Sequence, residues 1–155
     1  MQKRKILMLG CLAILAIVIA GSASAFDLGF LGDDSSPEEV TIEGINFTIP
    51  AGYEEDPNYA YVNETSTVNG LTYTMNGKTY QNDEGDAIAI LIADYGKYNV
   101  TDDILKQVAD ERKTVNDHKG FVKVDGGFTV FAYEENGDLV TVTVSDDSIL
   151  DQIVV

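Results

Sequence analysis

Phe121–Val144 reads FVKVDGGFTVFAYEENGDLVTVTV, and this stretch decides the fold. Asp125-Gly126-Gly127 and Asn136-Gly137 are turn sequences, and the runs between them alternate apolar with polar residues, the signature of antiparallel strands joined by tight turns. A two-residue turn at Asn136-Gly137 predicts Tyr133 opposite Val140, Phe131 opposite Val142 and Thr129 opposite Val144. One face then carries Phe131, Tyr133, Val140, Val142 and Val144. A turn at either Asp125-Gly126 or Gly126-Gly127 adds Val122 and Val124 to that face, and a one-residue slip would scatter it.

Working outward, Ser145 is expected to cap Asp146-Asp147, followed by a short helix over about 146–154 with Ile149, Leu150, Ile153 and Val154 on one side. Upstream, a helix is expected over about 101–113. Thr101 would cap it, Asp102 and Asp103 would lie in its first turn, and Arg112 and Lys113 in its last, an order that suits the helix dipole. Ile104, Leu105, Val108 and Ala109 would form its apolar stripe. Ala87–Ala93, AIAILIA, is apolar at every position and predicts a central strand covered on both faces. Asn69-Gly70 and Asn76-Gly77 both predict hairpin turns, the second placing Tyr73 opposite Tyr80 and Thr74 opposite Thr79. Val40, Ile42, Ile45, Phe47 and Ile49 alternate across Glu43-Gly44 and predict a strand or a short hairpin. The sum is an α+β domain over 40–155. It has an antiparallel meander sheet of about six to eight strands, the helix at about 101–113 and the short C-terminal helix at about 146–154.

Gly44–Tyr53, GINFTIPAGY, and the ending FAYEENGDLVTVTVSDDSILDQI resemble small exported α+β proteins of methanogenic archaea. There too a strand ends in Ile-Pro-x-Gly-Tyr, and a final Asn-Gly hairpin leads to a short helix. The resemblance spans roughly Val40 to the C-terminus. It implies a surface or secreted location and carries no catalytic residue set.

The first 25 residues give an independent address. Lys3-Arg4-Lys5 precedes an uncharged apolar run, Ile6–Ala20, and then the small residues Gly21–Ala25. This is the layout of a signal peptide cleaved after Ala25. Retention as a membrane anchor is the alternative, since 20 residues from Ile6 to Ala25 suffice to span. Lipidation at Cys11 is a further one. Residues 26–39, FDLGFLGDDSSPEE, read as an acidic tether. Cleavage would leave seven cations against 26 acids, a net charge of −19, and no cysteine. A disulfide and a thiolate nucleophile are thereby excluded from the exported part.

The acidity of the chain argues against nucleic acid or an anionic lipid surface as partner, so membrane contact is expected only through an uncleaved N-terminal segment. His118, beside Asp117, is the single histidine, and no Gly-x-Ser-x-Gly elbow or phosphate loop occurs. Zinc chemistry fails for want of His and Cys. Calcium is the one cofactor candidate, with Asn82, Asp83, Glu84 and Asp86 offering oxygens around Gly85, although the spacing is not that of an EF-hand. Asn46, Asn63 and Asn99 begin N-x-[ST] sequons and are candidate glycosylation sites. The eight tyrosines, Tyr53 to Tyr133, offer either a recognition face or sheet packing. The expectation is a non-enzymatic interaction module, extracytoplasmic, secreted or anchored to the cell membrane. A calcium-dependent binding module is the alternative, and a carboxylate hydrolase the third reading.

Overall fold

A computed structural model describes residues 36–155. Residues 1–35, which include the expected signal peptide with Cys11 and most of the expected tether, lie outside the described residues. Ten strands run in the order β1 (Glu38–Ile42), β2 (Ile45–Ile49), β3 (Tyr53–Glu55), β4 (Tyr61–Val68), β5 (Leu71–Asn82), β6 (Ala87–Asp94), β7 (Glu111–Val115), β8 (His118–Asp125), β9 (Phe128–Glu135) and β10 (Asp138–Val144). The helices are two single turns, α1 (Asp102–Leu105) and α2 (Leu150–Ile153), with short 3-10 turns at Pro57–Tyr59 and Asp147–Ile149.

The α+β expectation is therefore corrected, because the described residues form a mostly β domain. The helix expected over 101–113 stops at Leu105, and residues 111–115 become strand β7. The apolar stripe is still used, since Leu105 and Ala109 are buried. What overrides the helical pattern is the free edge of β8. Glu111–Val115 pairs along it from Glu111↔Val122 to Val115↔His118, filling backbone bonds that would otherwise face water. The C-terminal helix is shorter than expected, and its entry is capped by Asp146, whose carboxylate accepts from Ser148 N at 2.9 Å. Ser145, expected to be that cap, donates instead to Asp86 Oδ1 at 3.0 Å.

β1 and β2 form a hairpin turning at Glu43-Gly44, both with positive φ. The other eight strands make one antiparallel sheet, ordered β3-β5-β6-β10-β9-β8-β7, with β4 sharing the β3 edge of the long β5. The C-terminal meander has the register expected of it, including Tyr133↔Val140, Phe131↔Val142 and Thr129↔Val144. Asn69-Gly70 is a turn, with φ of 52° and 81°. Asn76-Gly77 is not. It lies inside β5, so Tyr73 faces Ser66 and Tyr80 faces Ile88 and Glu55. Gly77 is needed there for another reason: a Cβ would collide with the Leu91 side chain and the Ile90 carbonyl.

The sheet has two unlike faces. On one, Ile88, Ile90, Ile92, Val140, Val142, Val144, Phe131, Tyr133 and Tyr80 are buried under the β1–β2 hairpin and α2. Ile45, Phe47 and Ile49 close this core from the hairpin, and a single bridge joins Phe47 to Val154. Tyr80 Oη is buried here without a hydrogen-bond partner. Burial, with Glu55 and Glu38 nearby, holds its phenol well above the usual range. The opposite face is covered only in part. The chain leaves β6 at the sheet centre and must reach β7 at the far edge. Residues 95–110 make that crossing, laying α1 against β8 and β9. There Val100, Leu105 and Ala109 join Tyr73, Met75, Ala93, Phe121, Ala132 and Leu139 in a second buried cluster, and a groove opens beside it between β4 and the crossing.

Candidate functional site

The open face forms a groove of about 400 Å³, a volume in the range of small-molecule sites. Its floor follows from strand alternation. Positions 73 and 75 of β5, 91 and 93 of β6, and 139, 141 and 143 of β10 point to the side opposite the hairpin. They place Tyr73, Met75, Leu91, Ala93, Leu139, Thr141 and Thr143 along it. One wall is β4, through Glu64, Ser66 and Val68, and the other is the crossing segment, through Ile104, Lys106 and Val108. Tyr95 packs against Tyr73 with its ring tilted by 37° and the ring centroids 5.0 Å apart. At one end stand Lys123 and Asp125, paired at 3.1 Å.

The strand β6, expected to be covered on both faces, is buried at every position from Ile88 to Ala93 except Leu91, which reaches the groove floor. Ala93, Thr141 and Thr143 are the small side chains of a floor that also holds Tyr73, Met75, Leu91 and Leu139. That pattern was present in Thr141 and Thr143 of β10, but its meaning depends on where the crossing segment lies.

Cations gather beside the groove. Phe121 of β8 is buried against α1, and Lys106 Nζ and Arg112 Cζ lie 5.6 and 5.0 Å from its ring centroid. Arg112 also binds Asp102 at 2.7 Å. Among the described residues, no carboxylate is within ion-pair distance of Lys106.

The calcium candidates do not converge on an empty centre. Asn82 Oδ1 accepts from Glu84 N at 3.0 Å and Asp86 N at 2.8 Å, and Asn82 Nδ2 donates to Asp86 Oδ2 at 3.3 Å. Asp86 Oδ1 takes the Ser145 hydroxyl. These oxygens hold the β5–β6 turn together, and Asp83 is exposed. Among the described residues, no three His, Cys, Asp or Glu side chains are grouped as a metal requires.

Asn46, Asn63 and Asn99 are all exposed. Asn46 Oδ1 accepts from Thr41 at 2.8 Å, and Asn63 sits at a bulge in β4 with φ of 51°. His118 opens β8. Its Nδ1 is 3.7 Å from Glu135 and its Nε2 3.2 Å from Val155 O, and its ring packs on Tyr133. The tyrosines do not form one recognition face: Tyr73, Tyr80 and Tyr133 are buried, whereas Tyr98 is exposed.

No family model matches the chain, and neither a curated protein nor a solved structure matches it.

Proposed function

We propose that the chain is an exported or envelope-displayed acidic module that works by binding an apolar ligand in the sheet groove, not by chemistry on it. The observation that carries this reading is the half-covered sheet face. A sheet normally buries its apolar face against another layer, and here the half-buried Leu91, Val68, Ile104 and Val108 line open space beside the buried Met75 and Leu139. The site offers area and shape, while the one histidine is held elsewhere by Glu135 and Val155. Export rests on residues 1–25, whose basic, apolar and small segments match a signal peptide.

The resemblance to exported proteins of methanogenic archaea supports the same location. Calcium dependence is less well supported, because the oxygens of Asn82 and Asp86 are already engaged.

The test uses a neutral naphthylamine dye, which brightens in apolar surroundings. Saturable binding with one site per chain is expected, and Thr141→Arg, which places a long charged side chain on the groove floor, should weaken it about tenfold or more. Circular dichroism would confirm that the variant keeps its sheet. Absence of saturable dye binding, or binding unaffected by Thr141→Arg, overturns the reading.

A further inference from the structure

Three sequons begin at exposed asparagines, and the fold accounts for two of those asparagines. Asn46 belongs to β2, paired with Thr41, and its Oδ1 accepts from the Thr41 hydroxyl. Asn63 stands at the β4 bulge with φ of 51°, a backbone conformation that asparagine tolerates better than most residues. Its N–H donates to Asn76 Oδ1 at 2.8 Å. In both sequons the threonine is held in a ladder, Thr48 opposite Glu39 and Thr65 opposite Thr74. Asn99-Val100-Thr101 differs. It lies in the crossing, after β6 and before α1. Thr101 stands at the N-cap of α1, yet its hydroxyl makes no capping bond. Asn99 and Thr101 are exposed, and among the described residues neither side chain has a hydrogen-bond partner. Val100 between them is buried and anchors the segment. The fold thus uses Val100 and leaves the two polar side chains of the motif without a structural task.

We propose that Asn99 is a site of N-linked glycosylation, and the one sequon of the three that the folded chain presents for it. This rests on the export proposed above, which brings the chain to glycan donors carried on lipid diphosphates. In the transfer, Asn99 Nδ2 attacks the anomeric carbon of the glycan. The bond from that carbon to the diphosphate oxygen breaks, a carbon–nitrogen bond forms, the lipid diphosphate leaves, and Nδ2 gives up one proton through the transferase to solvent. The transferase must bend Asn-x-Thr so that amide and hydroxyl reach its site together. Bending 46–48 or 63–65 breaks ladder bonds, whose groups then lose their partners. Bending 99–101 breaks none, because among the described residues neither Asn99 nor Val100 makes a backbone hydrogen bond. Tyr95 and Ile104, on either side in sequence, line the groove, so the glycan is rooted on the segment that walls it.

The experiment incubates the folded full chain with a detergent-solubilised oligosaccharyltransferase and polyprenyl diphosphate-linked chitobiose, and reads intact mass and peptide maps. Short peptides carrying each sequon serve as unfolded references. One glycan per folded chain is expected, on Asn99. It should be lost in Asn99→Gln and in Thr101→Val and kept in Thr101→Ser, which retains the hydroxyl. Asn46 and Asn63 should stay unmodified in the folded chain. A folded chain that gains no glycan while the Asn99 peptide does overturns the proposal, and so does an Asn99 peptide that is not modified. Modification of Asn46 or Asn63 in the folded chain to the extent of Asn99 overturns the selection by the fold. Export is read separately, by cell fractionation. A chain confined to the cytosol overturns both readings, whereas an exported chain without transfer overturns only this one.

Discussion

Gly120 shows how much a single missing side chain can decide. It lies in β8 opposite Tyr133. A Cβ there would stand 2.9 Å from Tyr133 Cβ and 3.0 Å from Phe131 Cε2, and closer still to the Ala132 carbonyl. The carbonyl belongs to the paired strand and cannot retreat without loosening the ladder. The two rings cannot retreat either, since they stack 5.2 Å apart in the covered core. Overpacking of this kind costs about 1–3 kcal/mol, and Gly120→Ala is expected to lose that much in urea denaturation. Val124→Ala, two positions beyond Val122 on the same strand but 71% exposed, should stay within about 0.5 kcal/mol of the parent. Equal effects of the two substitutions would remove the argument. Gly77 is held to the same rule by Leu91, which is why an Asn-Gly pair could sit in mid-strand.

At the scale of elements, the legible parts were those fixed by neighbours in sequence. Asn136-Gly137 sets the register of β9 and β10, because its turn length leaves one pairing that buries Phe131, Tyr133, Val140 and Val142 together. Asn76-Gly77 carries the same local signal, yet neither residue takes a positive φ. The difference is made by β6, which pairs with Lys78–Gln81 and Thr74–Asn76 alike and keeps β5 straight through the dipeptide. Likewise Arg112 and Lys113 look like the end of a helix until β8 presents a free edge. The groove was illegible for a related reason: it exists because the β6–β7 crossing covers part of one face, and no local pattern says where a crossing will lie. A meeting of turns gives a testable case. Asp138 at the start of β10 has its carboxyl held above the usual range, first by burial and then by Asp94, Glu43 and Glu134. The native state thus binds this proton more tightly than the unfolded chain. Stability contributed by the protonated form is present at low pH and is lost as pH rises past the unfolded value of 3.8 and through the raised native one. At pH 7 the ionised group is a burden, so Asp138→Asn should raise the melting temperature at pH 7 and give a smaller gain at pH 4. A lower melting temperature at pH 7 would mean that the carboxylate makes a favourable contact that outweighs its burial.

The whole molecule sets charge against cohesion. Seven cations face 23 acids in residues 36–155, and the ion pairs among them are few. Lys78–Glu55, Arg112–Asp102 and Lys123–Asp125 are the pairs with a lysine or arginine, and each is at least partly exposed. Pairs of that kind contribute about 0–1 kcal/mol each, so they offset little of the repulsion among the remaining acids. Cohesion comes instead from the core between the sheet and the β1–β2 hairpin and from the smaller cluster on the opposite face, which salt affects weakly. Raising ionic strength from about 0.01 M to 0.15 M shortens the screening distance from about 30 Å to 8 Å. It thereby removes most of the acid–acid repulsion while leaving close pairs less affected. The melting temperature should therefore climb with sodium chloride over this range and flatten once screening is complete. Sodium and potassium chloride should act alike, because screening does not depend on which monovalent cation supplies it. A melting temperature that falls with salt would show that the few ion pairs outweigh the many repulsions, and that the acidic surface is not the destabilising element of the fold.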